Sequence, residues 1–166
     1  MTTIIAGTNR QESITEKVAG IYFKILEELG QPARLLTLKD RNLWTRNEEM
    51  IKLEEEFLIP ANKFLIVMPE YNASFPGVLK MLLDNSDIKK CWWHKKAALT
   101  GVSVGRAGNL RGVEHMTAIL NYLKVNVHYN KMLLSKVKEE LTTDENILRN
   151  DVVMLMKTQM QEFMKF

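Results

Sequence analysis

The chain has 166 residues, 46% of them hydrophobic and 26% charged, which is the size and composition of one globular domain with an ordinary core and excludes a disordered class. Net charge is +3, from 23 basic and 20 acidic residues spread along the chain; that excess is too small to imply nucleic acid but suits small anions such as phosphates. A lone cysteine, Cys91, rules out an internal disulfide and points to a reducing, cytoplasmic setting.

The opening "MTTIIAGTNR" lacks a basic segment followed by a long apolar one, so no signal peptide is expected. No apolar run approaches the roughly 18 residues of a membrane span, so no membrane partner is expected either. Thr2 to Gly7, "TTIIAG", is a β-branched run ending in glycine and reads as a buried strand. Ile14, Val18, Ile21, Ile25 and Leu29 then recur at helical spacing and stop at Gly30, with Ser13 or Gln11 as candidate cap. Ala33 to Leu38 is a second strand. Asn47 to Leu58, "NEEMIKLEEEFL", reads as a helix with its acidic residues on a solvated face.

Lys63 to Met68, "KFLIVM", is a third strand, and Pro76 to Asp84 a helix with proline in its first turn. Lys95 to Gly105 is a fourth strand running into a glycine-rich loop. Val113, Met116, Leu120 and Leu123 mark a helix, and Val125 to Tyr129 a fifth strand. The last helix is expected from Asp144 to Phe166, with Val152, Met156, Met160 and Phe163 on one face and Met154 and Met164 as core filler.

Strands alternating with helices predict a single domain over residues 1–166, with a parallel sheet covered on both faces. Ligands of such sheets bind beyond the carboxyl ends of the strands. Three loops leave strand ends with unusual composition and should meet there: Gly7 to Ser13, Pro69 to Gly77 and Ser103 to Arg111. The first, "GTNRQES", offers hydroxyls, an amide and a guanidinium at a helix N-terminus, a setting that attracts phosphate. It is neither a Walker loop nor a Gly-x-Gly-x-x-Gly fingerprint. A blander alternative is that Ser13 only caps the helix and Arg10 is solvated.

The second loop, "PEYNASFPG", mixes polar and aromatic groups without concentrated charge, as a flat aromatic ligand requires. Glu70 has no partner at metal-ligand spacing, so a metal site is not expected. Tyr71 and Phe75 could equally be core aromatics, but two bracketing prolines argue for a fixed shape. In the third loop, "SVGRAGNLRG", Gly105, Gly108 and Gly112 suggest close backbone approach or positive φ.

Together these stretches resemble the NADPH-dependent FMN reductase family. "AGTNRQESITEKVA" is similar to its Gly-Ser-x-Arg-x-x-Ser phosphate loop, "MPEYNASFPGVLKMLLD" to its Pro-Glu-Tyr-Asn-Gly-Ser motif, and the third loop to its Ser-x-Gly-x-x-Gly-Gly segment. The resemblance implies a flavodoxin-like three-layer α/β sandwich, with a five-stranded parallel sheet in the order 2-1-3-4-5 and helices on both faces. It further implies non-covalent FMN, NADPH or NADH as donor, and a homodimer or homotetramer. Carried over, Thr8, Arg10, Gln11 and Ser13 would hold the FMN phosphate. Pro69, Glu70, Tyr71, Asn72 and Ala73 would flank the isoalloxazine ring, and Ser103, Gly105 and Gly108 would close its other side. Ala73 stands where the family usually has glycine, and Asn85 where tryptophan is common.

The implied reaction passes hydride from nicotinamide to flavin N5 and then to a quinone, flavin or other small acceptor. The chemistry is the cofactor's, so no catalytic side chain is expected. His94, His115 and His128 fit no metal spacing and read as surface or core residues, and Cys91 as an inert thiol. Trp92 and Trp93 are expected at a subunit interface. The competing expectation is a flavodoxin-like electron carrier with no NAD(P)H oxidation of its own; the basic balance and Arg10 favour the reductase. A receiver-type signalling domain would need clustered acids after the first strand, and "IIAGTNR" has none.

Overall fold

The computed structural model describes residues 1–141 and 148–166. Strands β1 (Thr2–Ala6), β2 (Ala33–Thr37), β3 (Lys63–Pro69), β4 (Lys96–Val102), β5 (Asn126–Val127) and β6 (Met132–Leu134) form one parallel sheet, ordered β2-β1-β3-β4-β5 with β6 also on β4. The centre is apolar on both faces because helices cover both: Phe64 to Met68 are each 0% exposed. Ala6 lies opposite Thr37 on one side and Val67 on the other, and Val67 opposite Thr100, so the strands end nearly level. That register delivers the loops after β1, β3 and β4 to one edge.

The outermost strand departs from expectation. Of Val125 to Tyr129 only Asn126 and Val127 pair, with Lys96 and Ala97. His128 is turned inward among the rings of Tyr129, Phe166 and Phe163, at centroid distances of 4.5, 5.1 and 5.7 Å. The buried Gln159 amide donates to the Asn130 carbonyl at 2.9 Å. Burial of the imidazole and this bond override the ladder, and pairing resumes only at Met132, opposite Thr100.

On one face lie α1 (Ile14–Glu28) and α6 (Asn150–Lys165). Ser13 caps α1 by accepting from the Thr15 N–H at 3.2 Å, and Gly30, with φ +66°, ends it. The last helix begins later than its expected start at Asp144. Residues 144–147 lie outside the described residues, and Leu148 pairs with Leu141 in an antiparallel bridge, which holds the chain extended just before Asn150. Val152, Met156, Met160 and Phe163 are buried as their spacing requires, whereas Met154 is 64% exposed and fills no core.

The other face carries α2 (Glu48–Leu53), α3 (Gly77–Asn85), α4 (Ile88–Cys91) and α5 (Leu110–Tyr122). Beyond α2 the chain widens into a π turn, Glu54–Leu58, closed by the Ile59 N–H on the Glu54 carbonyl at 2.7 Å. Glu54 breaks the expectation of a solvated acidic face: it is 1% exposed, paired with Arg46 and accepting the Asp87 N–H at 2.8 Å. A carboxylate is buried only when so compensated. Pro76, with φ −62° and ψ 144°, is the N-cap residue of α3 and lies outside its first turn.

Helix α4 is not apparent in "KKCWWHKK", because four residues show no period; Asp87 builds it by accepting from the Lys89 and Lys90 N–H groups at 3.1 and 3.0 Å. The Trp pair is not a surface pair. Trp92 is 0% exposed, lies 4.8 Å from the Phe64 ring and donates from Nε1 to Ser86 Oγ at 2.7 Å. Trp93 is half-buried, with Lys124 Nζ 3.8 Å above its ring. Among the described residues no helix is long and apolar enough to cross a membrane.

Candidate functional site

Loop 1, between β1 and α1, folds on its own hydroxyl. Thr8, buried, accepts the Arg10 N–H on Oγ1 at 3.2 Å. Thr8 thereby shapes the loop, and it is not among the residues that line the cleft. Arg10, Gln11 and Ser13 do line it, at the amino end of α1 where the helix dipole favours an anion. Gln11 Nε2 is held by the Asp40 carboxylate at 3.2 and 3.3 Å, a contact from the β2–α2 connection. Glu12, with φ +49°, lines the same end.

Loop 2 leaves β3 at Pro69. The Glu70 N–H donates to the Val102 carbonyl at 2.9 Å. Tyr71 and Ser74 then bond each other reciprocally, N–H to carbonyl, at 2.9 and 3.0 Å. The turn between them, Asn72 and Ala73, has φ +50° and +62°. Two consecutive left-handed residues are the primed turn that Asn-Gly makes most easily. Ala73 occupies the glycine position of that turn at a cost of about 1 kcal/mol. Arg10 reaches across from loop 1, its guanidinium carbon 4.3 Å from the Tyr71 ring centroid, and so joins the two loops by a cation–π contact.

Loop 3 is tied back on itself and forward to β6. Ser103 Oγ accepts the Gly105 N–H at 3.0 Å, the Ser103 N–H donates to Leu134, and the Val137 and Lys136 N–H groups return to Ser103 and Gly105 at 2.9 and 2.8 Å. Gly108 lies away from the ligand space. Its φ of +57° and the Leu133 backbone, 2.9 Å from where a Cβ would stand, make it a packing residue.

These loops enclose an open cleft of about 520 Å³, within the usual range of small-molecule sites. Pro69, Glu70, Tyr71, Asn72 and Ala73 form one side; Ser103, Gly105, Val102 and Val104 form the other. Of the residues expected at the site, only Thr8 and Gly108 fall outside this lining. Sequence reasoning missed Glu12, Ile14, Thr15, Val102, Val104 and Val137. Ile14 and Val102 carry ordinary core patterns, and Val137 comes from a segment with no motif.

The donor set fits a flavin mononucleotide. The phosphate end has hydroxyl, guanidinium and helix N-terminus; the ring end has backbone polar groups against valine side chains. Tyr71 Oη is buried there without a protein partner, which is costly unless something else satisfies it. Among the described residues no group of acids, histidines and cysteine is placed to hold a metal ion.

Comparison with known proteins agrees. A family model described as NADPH-dependent FMN reductase matches residues 2–139. A 2-hydroxy-1,4-benzoquinone reductase of a Burkholderia species is 29% identical over 119 residues, spanning 69% of this chain and 65% of its own. Among solved structures, the flavoenzyme NAD(P)H:(acceptor) oxidoreductase of Paracoccus denitrificans superposes with a TM-score of 0.80 at 19% identity, covering 99% of this chain and 94% of its own. A flavodoxin of Streptococcus pneumonia gives 0.66 at 9% identity, covering 99% and 97%. The architecture is therefore flavodoxin-like.

Proposed function

The chain belongs to the NADPH-dependent FMN reductase family, and from that premise we propose that its cleft binds FMN and oxidises NADPH or NADH to reduce a small acceptor of the quinone or flavin class. The observation that carries the reading is the convergence of an anion seat, a rigid polar turn and an apolar wall on one cleft. Arg10, Ser13 and the first turn of α1 seat the phosphate. Pro69 to Ala73 present backbone groups to the polar edge of the ring. Val102, Val104 and Val137 exclude water from its face, and the open mouth admits nicotinamide and acceptor in turn. FMN, when bound, would supply the two-electron chemistry that links nicotinamide oxidation to reduction of the acceptor. The protein's part is orientation and a dry surface.

The test is a visible spectrum of the protein with added FMN, then with NADPH under nitrogen, then with a benzoquinone. A bound flavin band that bleaches with NADPH and recovers with quinone supports the reductase. A band that NADPH leaves unchanged, but that dithionite bleaches, supports the electron carrier instead.

Self-association belongs to the same reading. Lys80, Leu83, Asp84, Ile88, Ile119 and Tyr122 line an apolar groove between α3, α4 and α5, and Tyr122 is 82% exposed. Exposed apolar surface of this kind suits a second copy. Light scattering that gives a monomer mass for the unaltered protein removes the dimer from the proposal. A cytoplasmic setting belongs to the same proposal, and the lone buried thiol supports it.

A further inference from the structure

Asn109 sits at the N-cap of α5, where an asparagine side chain normally accepts from the helix's first N–H groups, yet it makes no such bond. Its amide turns instead to the end of β3. Nδ2 donates to the Met68 carbonyl at 3.2 Å and the Pro69 carbonyl at 3.0 Å, the last two carbonyls of β3, where loop 2 begins. Both partners are acceptors, so the amide orientation is fixed by chemistry: the nitrogen must face them. Oδ1 is left buried without a partner, and the residue is 1% exposed. Gly112, one turn along α5, leaves room for the side chain, since a Cβ there would overlap the Asn109 amide. The backbone at Asn109 is left-handed, with φ +63°, a conformation asparagine tolerates better than most residues.

A cap forgone and an acceptor left unpaired are tolerated for one product, a clamp from α5 onto the root of loop 2. The far end of that loop is held by the same helix, where Ser74 Oγ and His115 Nδ1 lie 3.0 Å apart. Between the two ties stands the left-handed pair Asn72 and Ala73, which needs outside support to persist. We infer that Asn109 is a positioning residue: through the Met68 and Pro69 carbonyls it fixes the loop from Pro69 to Ala73 against the cleft, and with it the geometry of whatever ring lies there. The cofactor part of this inference rests on the FMN reading; the clamp itself does not.

Asn109→Gly and Asn109→Asp test it. Glycine keeps the left-handed backbone and removes both bonds. Aspartate keeps the side-chain size but sets an oxygen, with no N–H to donate, against the two carbonyls; glycine brings in no charge, so a loss of loop order shared by both variants is not the effect of a buried carboxylate. Amide hydrogen exchange of the flavin-free protein reads the clamp directly. The Glu70, Tyr71 and Ser74 amides should exchange at least about tenfold faster in both variants, with α1 and α6 unchanged. Unchanged loop exchange in both, or equal acceleration throughout the chain, overturns the clamp.

With FMN bound, both variants should shift the visible flavin band and lower kcat at least about tenfold, while KM for NADPH stays within about twofold. A wild-type spectrum and kcat in both variants overturns the positioning of the ring. Failure of the unaltered protein to bind FMN would sink the flavin reading alone, because exchange still decides the clamp.

Discussion

At the amino edge of the sheet, lysines close the structure onto backbone oxygens. Lys63 Nζ donates to the Phe163 and Met164 carbonyls at 2.8 Å each, Lys95 to Leu58 and Ile59 at 2.6 and 3.0 Å, and Lys96 to Phe166. Carbonyls that α6 and the π turn leave open are thereby satisfied. The carboxyl edge is built differently. Glu12, Asp40, Asn72, Ala73, Gly108, Asn109 and Lys136 all hold positive φ there, against Gly30, His94 and Lys124 at the other edge. Strain concentrates where the cleft lies. The amino edge is optimised for closure, while the carboxyl edge maintains costly backbone to hold open a shaped space.

Breaking the frame should cost most and leave the cleft's preferences alone. Trp92→Ala removes a fully buried ring against Phe64 and is expected to lower stability by about 3–5 kcal/mol in urea unfolding. FMN affinity of the still-folded fraction should stay within about twofold; a parallel loss of affinity would show that frame and cleft are not separable.

Breaking the cleft should do the reverse. Arg10→Ala takes a guanidinium from the anion seat and from Tyr71. Charged hydrogen bonds are worth about 1.5–3 kcal/mol, so FMN titration should show affinity falling about tenfold to a hundredfold. The urea midpoint should barely move, because Arg10 is exposed. The contrast sharpens with Ala73→Gly. Relief of the left-handed alanine should raise stability by about 1 kcal/mol, read as a higher melting temperature. A fall in melting temperature would mean that the turn is not strained.

The smallest expected effect is a silence in the frame. Burial pushes the Cys91 thiol up to about 12, with Glu54 adding to the rise. The folded state thus holds this proton more tightly than the unfolded chain does. Its contribution to stability is whole below the unfolded thiol's pKa, roughly 8.5, and is lost as pH rises from there toward the folded value. Burial raises the Tyr22 hydroxyl in the same direction. Native protein at pH 8 should resist maleimide, and the fall of the urea midpoint between pH 9 and 11, which burial of Lys63 and Lys95 opposes by lowering their pKa, should be smaller in Cys91→Ala than in the unaltered protein. Rapid labelling of native protein would contradict the buried placement.

Much of the fold was legible because its signals are local. β-branched runs bounded by glycine, and apolar residues three or four apart, marked β1 to β4 and helices α1, α5 and α6, since burial on both sheet faces demands continuous apolar strands. The "PEYNASFPG" loop stood out because a turn does not need that mixture of groups. Other features left no local trace. Glu54 looks like any surface acid until Arg46 and the Asp87 N–H surround it. Trp92 looks like surface aromatic beside lysines until Phe64 meets it. The split of the last strand depends on Gln159, some thirty residues further along the chain.

The sequence by itself determined the alternating α/β order, the parallel sheet and the three loops that carry the site, because periodicity and turn chemistry act within a few residues. Only the tertiary structure decided which side of each loop faces the cleft. Thr8 and Gly108 share motifs with residues that line it, yet one is buried and accepts the Arg10 N–H of its own loop and the other packs on Leu133. Asn109, which bears on Met68 and Pro69 from forty positions away, carries no local sign at all. Such roles arise from packing between segments distant in sequence, where register and close approach, rather than propensity, choose the partner.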